Sequence, residues 1–173
     1  MEVTYHLTEE DYLQFNRFHI RNSKTFKRAL VIQRVTGPII FLLMAFIFSS
    51  IGNLSFATLL VPFIILSVLW IVFYPKYFYA SVIRNTKKVI KEGKTGGDLL
   101  GKHQMILNET GIIDLTENGE TKVAWSGILE LKEDEYNIYV YNSSVSAYIL
   151  PKRDLNNVAE VWDYLRANIT GQH

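Results

Sequence analysis

The sequence predicts an α+β membrane protein: a two-helix transmembrane hairpin joined to a small antiparallel sheet capped by a C-terminal helix. Three observations predict it. From Val35 to Pro75 there is no Lys, Arg, Asp, Glu or His, and the only cluster of turn-type residues is Gly52, Asn53 and Ser55. Beyond Gly93, Gly96 and Gly97 the pattern changes to short runs separated by turn signals. After the last run, ending at Leu150-Pro151, apolar residues recur at helical spacing from Leu155 to Ile169.

A helix needs roughly 20 apolar residues to cross the hydrocarbon core, so the charge-free stretch suits two crossings and a tight turn. A chain of 173 residues then has room for one small further domain. Two soluble core helices this apolar on all sides would need a far larger protein around them. There is no cysteine, which excludes disulfides and thiolate metal sites.

The net charge of +1 hides a strong segregation. Residues 1–11 carry four acids and no Lys or Arg; residues 12–91 carry 11 Lys/Arg and no acid; residues 92–173 carry 13 acids and 7 Lys/Arg. The basic residues bracket the apolar stretch, and its central turn has none. By the positive-inside rule both termini are cytoplasmic, which predicts a two-span protein of the cell membrane. Charges at membrane ends favour anionic lipid headgroups over nucleic acid as partner. The first apolar run starts too far from Met1 for a cleavable signal peptide.

The order predicts four segments: 1–35, an N-terminal strand and basic amphipathic helix; 36–75, the hairpin; 76–97, a cytoplasmic helix extension and glycine linker; 98–173, the C-terminal domain. Glu2, Thr4 and His6 alternate with Val3, Tyr5 and Leu7, the period of a half-buried strand. Such a short strand needs a sheet, and the open edge of the C-terminal meander would supply one. Thr8 reads as an N-cap, with Asp11 at the capping-box position. In the helix that follows, Arg17, Arg21, Lys24 and Arg28 share one narrow face, opposite Tyr12, Phe15, His19, Phe26 and Leu30. Two readings fit: a surface helix packed on its own domain, or a helix lying on the anionic leaflet. Gly37-Pro38 marks a kink or a fresh helix start ahead of a span over Thr36–Ile51. The second span runs Phe56–Tyr74, with Trp70, Tyr74, Tyr77 and Tyr79 as interface anchors. It continues as a helix to Glu92, with Arg84, Lys87, Lys88 and Lys91 at helical spacing.

Six strands are expected after the linker: His103–Leu107, Ile112–Leu115, Thr121–Trp125, Ile128–Lys132, Asn137–Tyr141 and Ala147–Leu150, in one meander. Trp125 and Ile128 are expected in its core.

Chemistry is sparse. His6, His19, His103 and His173 show no metal-ligand spacing, and no phosphate-binding or nucleophile motif is present. Glu130, Glu133, Asp134 and Glu135 read as a solvated turn or, less simply, a divalent-ion site. Neither catalytic nor cofactor nor metal residues are expected. Candidate headgroup contacts are Arg17, Arg21, Lys24, Arg28, Arg84, Lys87, Lys88, Lys91, Lys152 and Arg153, the last two being either a solvated loop or a contact to headgroups or an acidic partner.

Leu7–Ser23 (LTEEDYLQFNRFHIRNS) ahead of a two-span hairpin, the Trp125-Ser-Gly-Ile128 step, the Tyr136–Tyr141 strand and Ile149-Leu-Pro-Lys-Arg153 resemble the YcxB-like bacterial membrane proteins. Asp154-Leu155 departs from the small-then-aromatic pair common there. The resemblance implies a pleckstrin-homology-like C-terminal domain, a bent antiparallel sheet capped by one helix, and brings no reaction or ligand. Together these readings predict a non-enzymatic inner-leaflet binding or scaffold module that engages lipid, a protein partner or a second copy of itself. A channel or transporter subunit is the alternative. It would have only Ser49, Ser50, Ser55, Thr58 and Ser67 to line a polar path. A lipid-directed enzyme would need a nucleophile and base converging in space.

Overall fold

The computed structural model describes residues 1–52, 54–91 and 99–170, with the backbone alone at Lys91 and Thr170. The element order is β1 (Glu2–Leu7), α1 (Glu9–Asn22), α2 (Lys24–Ile51), α3 (Phe56–Lys91), β2 (Gly101–Leu107), β3 (Gly111–Leu115), β4 (Glu120–Ala124), β5 (Glu130–Glu133), β6 (Asn137–Tyr141), β7 (Ala147–Pro151) and α4 (Val158–Thr170). The chain forms two compact units, Met1–His19 with Thr86–His173, and Ile20–Asn85. The glycine linker and the Asn53 part of the hairpin turn lie outside the described residues.

In the first unit, β1 pairs antiparallel with β2 in the register Val3↔Met105, Tyr5↔His103, Leu7↔Gly101. The N-terminal strand therefore joins the C-terminal sheet, as its alternation and its need for a partner predict. The expected single meander is instead two sheets, β1-β2-β3-β4 and β5-β6-β7. The break falls where Trp125-Ser-Gly127 tightens into a 3₁₀ turn, with Ile128 N–H donating to Trp125 O at 3.0 Å. Trp125 is buried there and its Nε1 donates to Asn108 O at 2.9 Å. Ile128 is buried too, so both residues fill the core as expected, but from a corner between sheets rather than from strands.

The β2–β3 turn follows its sequence signal. Asn108 Oδ1 accepts from the N–H groups of Thr110 and Gly111 at 2.9 and 3.0 Å. Gly111 has φ +155°, and a Cβ there would collide with Val123 O of β4, so only glycine fits. Ile138, Leu150 and Leu165 have no exposed surface, and the core runs from Val3, Tyr5 and Leu7 through both sheets to α4.

Thr8 and Asp11 form a reciprocal capping box at the start of α1: Thr8 N–H donates to Asp11 Oδ2 at 2.9 Å, and Asp11 N–H to Thr8 Oγ1 at 3.3 Å. The expected single basic helix does not follow. Ser23 takes extended backbone angles (φ −72°, ψ 125°) and its Oγ accepts from Phe26 N–H, which ends α1 and begins α2. A serine side chain competing for the backbone favours a cap over a helix interior.

In the second unit, α2 and α3 are each long and apolar enough to cross a membrane. Gly37-Pro38 neither starts nor breaks a helix; α2 runs through it. Gly37 is where Trp70 of α3 comes closest: a Cβ at position 37 would collide with the indole. Trp70 Nε1 donates to Gln33 O at 3.2 Å, Tyr74 hydroxyl donates to Gln33 Oε1, and Arg34 Nε donates to Ile71 O at 3.0 Å. Trp70 and Tyr74, expected as interface anchors, form the clasp between the two helices.

Candidate functional site

The basic residues singled out in the sequence are distributed over three helices. Arg17 and Arg21 are exposed on α1, Lys24 and Arg28 on α2, and Arg84, Lys87 and Lys88 on α3. The Lys91 side chain lies outside the described residues. The four-residue stripe is split two and two by Ser23, because the apolar residues opposite it part company. Phe15 and His19 pack on Tyr139 and Tyr141, whereas Phe26 packs on Phe78 of α3. Arg17 also pairs with Glu10 at 3.1 Å.

Lys152 and Arg153 are not a solvated loop. Lys152 Nζ reaches Glu133 Oε2 at 2.7 Å and Asp134 O at 2.6 Å. Arg153 grips Asp11 with two bonds, to Oδ1 at 2.6 Å and Oδ2 at 2.7 Å, and donates to His6 O at 2.9 Å. A planar guanidinium suits this fork. Burial pushes the Asp11 carboxyl up, but the hydrogen bonds from Arg153 and Thr8 outweigh it and hold the group below the usual carboxylate range. Asp154 completes the clamp by accepting from His6 N–H at 2.9 Å.

The acidic run at the β5–β6 hairpin is also engaged. Glu130 pairs with Lys132 and Glu133 with Lys152. Asp134 accepts from Tyr136 N–H, Asn137 N–H and the Tyr139 hydroxyl. Among the described residues no group of His, Asp and Glu has the arrangement of a metal site.

Two features escaped the sequence. The first is a buried polar cluster on the inner face of the first sheet. His103 Nδ1 lies 3.0 Å from Asp114 Oδ2, the Tyr5 hydroxyl donates to Asp114 Oδ1 at 3.4 Å, and the Tyr5 and His103 rings stack at 5.2 Å. Burial, then Asp114, raises the Tyr5 hydroxyl well above its ordinary value. Enclosed by the core, this cluster ties β1 to β2 and β3. Its signal was the β1–β2 register, which no local pattern states.

The second is a groove of about 380 Å³ beside β1. It is lined by Met1, Glu2, Val3 and Thr4 on one side and by Asp154–Asn157, Glu160 and Val161 on the other. Its position follows from the clamp: Arg153 and Asp154 hold the His6 end of β1, and the chain then diverges toward α4. Asn157 Oδ1 caps α4 by accepting from Glu160 N–H at 3.3 Å. The lining offers backbone edge, three carboxylates and two amides.

The family model described as YcxB-like protein matches residues 107–169, from the end of β2 into the last turn of α4. The C-terminal resemblance read from the sequence is thereby shown; Leu7–Ser23 and the hairpin lie outside the matched residues. No curated protein matches the chain, and no solved structure does.

Proposed function

We propose that this protein is a non-enzymatic, membrane-anchored binding or scaffold module. The α2–α3 hairpin crosses the bilayer twice, both termini are cytoplasmic, and the β-rich unit engages a protein or lipid at the inner leaflet. The observation that carries the reading is the outward display of apolar side chains on both helices. Ile51, Ile32 and Phe46 are 81%, 64% and 62% exposed, and such residues recur along both helices. Helices from the core of a soluble protein would be covered, and monomers in water rarely show an apolar patch above a few hundred Å². The flanking Arg34, Lys76 and Arg84 suit the cytoplasmic side.

Seven antiparallel strands in sheets of four and three, with one C-terminal helix, support a pleckstrin-homology-like reading of the other unit. The channel alternative is weakened by the hydroxyls it would need. Ser49, Ser50 and Ser67 bond to Leu54 O, Phe46 O and Phe63 O, while Ser55 and Thr58 bond to each other.

The absence of cysteine makes the test clean. In intact cells a Ser55→Cys variant should react with a membrane-impermeant maleimide. A Glu109→Cys variant should react only after permeabilisation. The reverse pattern, or equal labelling of both in intact cells, overturns the topology.

A further inference from the structure

We infer that the free stretch of the β1 edge docks an extended, basic peptide segment of a partner protein, added as an extra strand beside Glu2 and Thr4. This rests on the binding-module reading and gives its partner a chemistry.

The argument starts from hydrogen-bond alternation. Met1 and Leu107 exchange both backbone bonds, at 2.7 and 2.8 Å. In an antiparallel pair such residues alternate with ones whose N–H and C=O turn away. Val3, Tyr5 and Leu7 therefore bond to β2, and Glu2, Thr4 and His6 turn their backbone groups outward. His6 confirms the phase, since its N–H and C=O meet Asp154 and Arg153. No bond from a described residue closes the outward groups of Glu2 and Thr4, and the groove lies directly against them. An open edge is a template for another strand.

The sign of the occupant follows from the lining. Glu2, Asp154 and Glu160 are its charged side chains, with no Lys, Arg or His among them. The Met1 amino group turns to Leu107 O, and the half-charge at the start of α4 does not offset three carboxylates. A strand docked here shows the side chain opposite Glu2 on the same face as Glu2, where Lys or Arg pairs with it. The next side chain falls on the other face, near Leu155 and Val161. The groove thus selects alternating basic and apolar residues.

The test uses the full chain in neutral detergent micelles and the amidated peptide Lys-Val-Lys-Val-Lys-Val. Binding should slow amide exchange at Glu2 and Thr4 at least tenfold and leave Val3 and Tyr5 unchanged. The Glu-Val counterpart should not bind. N-methylating the peptide backbone should abolish binding. Thr4→Pro removes an outward N–H that β2 does not use and should weaken binding at least tenfold with an unchanged thermal midpoint. Glu2→Lys should weaken it about fivefold and decides the matter if the proline variant does not fold. Binding that survives N-methylation, equal binding of the acidic peptide, or protection of Glu2 and Thr4 by phosphatidylglycerol vesicles instead of the peptide would each overturn the inference. Failed peptide binding with the Ser55→Cys labelling intact sinks this inference alone; the opposite result sinks the membrane topology and leaves the edge site standing.

Discussion

The two units use the same apolar residue types in opposite senses. In the hairpin, Ile, Leu, Phe and Val of α2 and α3 point outward, and only Gly37 and Ala45 of α2 are buried. In the β-rich unit most of the equivalent residues turn inward, and along β1 and β2 the polar ones alternate outward with a period of two. The two units therefore present opposite surfaces. A helix apolar all round wants an apolar solvent, while a strand apolar on one face wants a core on one side and water on the other. Glycine does different work accordingly. At Gly37 it admits an indole between helices, and at Gly111 it admits a carbonyl between strands.

Removing residues 1–7 should break the comparison most severely. Val3, Tyr5 and Leu7 are buried, and each is worth about 1.5–3 kcal/mol of burial. That sum approaches the whole stability of a small domain. Proteolysis within residues 100–170 should accelerate sharply while the hairpin remains intact; a β unit as protease-resistant as that of the full chain would show that β1 is dispensable. Next comes Arg153→Ala, which strands the buried Asp11 carboxylate. The cost should be about 2–3 kcal/mol, discounted because Arg153 is half exposed. Denaturant unfolding of the full chain measures it, and adding Asp11→Asn should recover part of the loss.

Gly37→Leu addresses the other unit. Overpacking against Trp70 should cost about 1–3 kcal/mol. The Trp70 indole N–H resonance should shift, while those of Trp125 and Trp162 should not move. The smallest effect is expected from pH. Burial, then Lys132, lowers the His19 pKa, so the folded state prefers the neutral ring. That contribution is full above the unfolded value near 6.5 and is lost as pH falls through the folded one. Asp11, also lowered, adds a second loss below about pH 4. Relative to the intrinsic exchange rate at each pH, amide protection over residues 9–19 should fall a fewfold between pH 7.5 and 5.5, and His19→Gln should remove that step. The stretch Val35–Pro75, with no Asp, Glu or His, should not respond.

Elements with a strong period or a strong composition were legible in the sequence. The charge-free stretch gave both long helices, and Asn137–Tyr141 was read to the residue. Alternation at Glu2–Leu7 gave not only a strand but its need for a partner. What was missed depends on competition between local and distant terms. Asn22-Ser23 carries a cap signal, yet the spacing from Arg17 to Arg28 looked continuous across it. Trp125-Ser-Gly127 turns a corner because Trp125 finds Asn108 O, a bond to another turn that no window contains. The clamp on His6 joins Arg153 and Asp154 to residues near the other end of the chain, so Lys152-Arg153 read locally as free charge.

The β1–β2 pairing has a consequence for how the chain is made. Met1 and Leu107 are bonded across 106 positions of sequence. At about 5–20 residues per second, the ribosome delivers β2 roughly 5–20 s after β1. Both long helices emerge in that interval, while β1 still has no sheet to join. Completion of the first sheet is then a late event of biosynthesis. On the proposed two-span topology it requires the first and last parts of the chain to arrive on the same side, so a nascent chain with one helix left uninserted or misoriented would present an orphan strand to quality control.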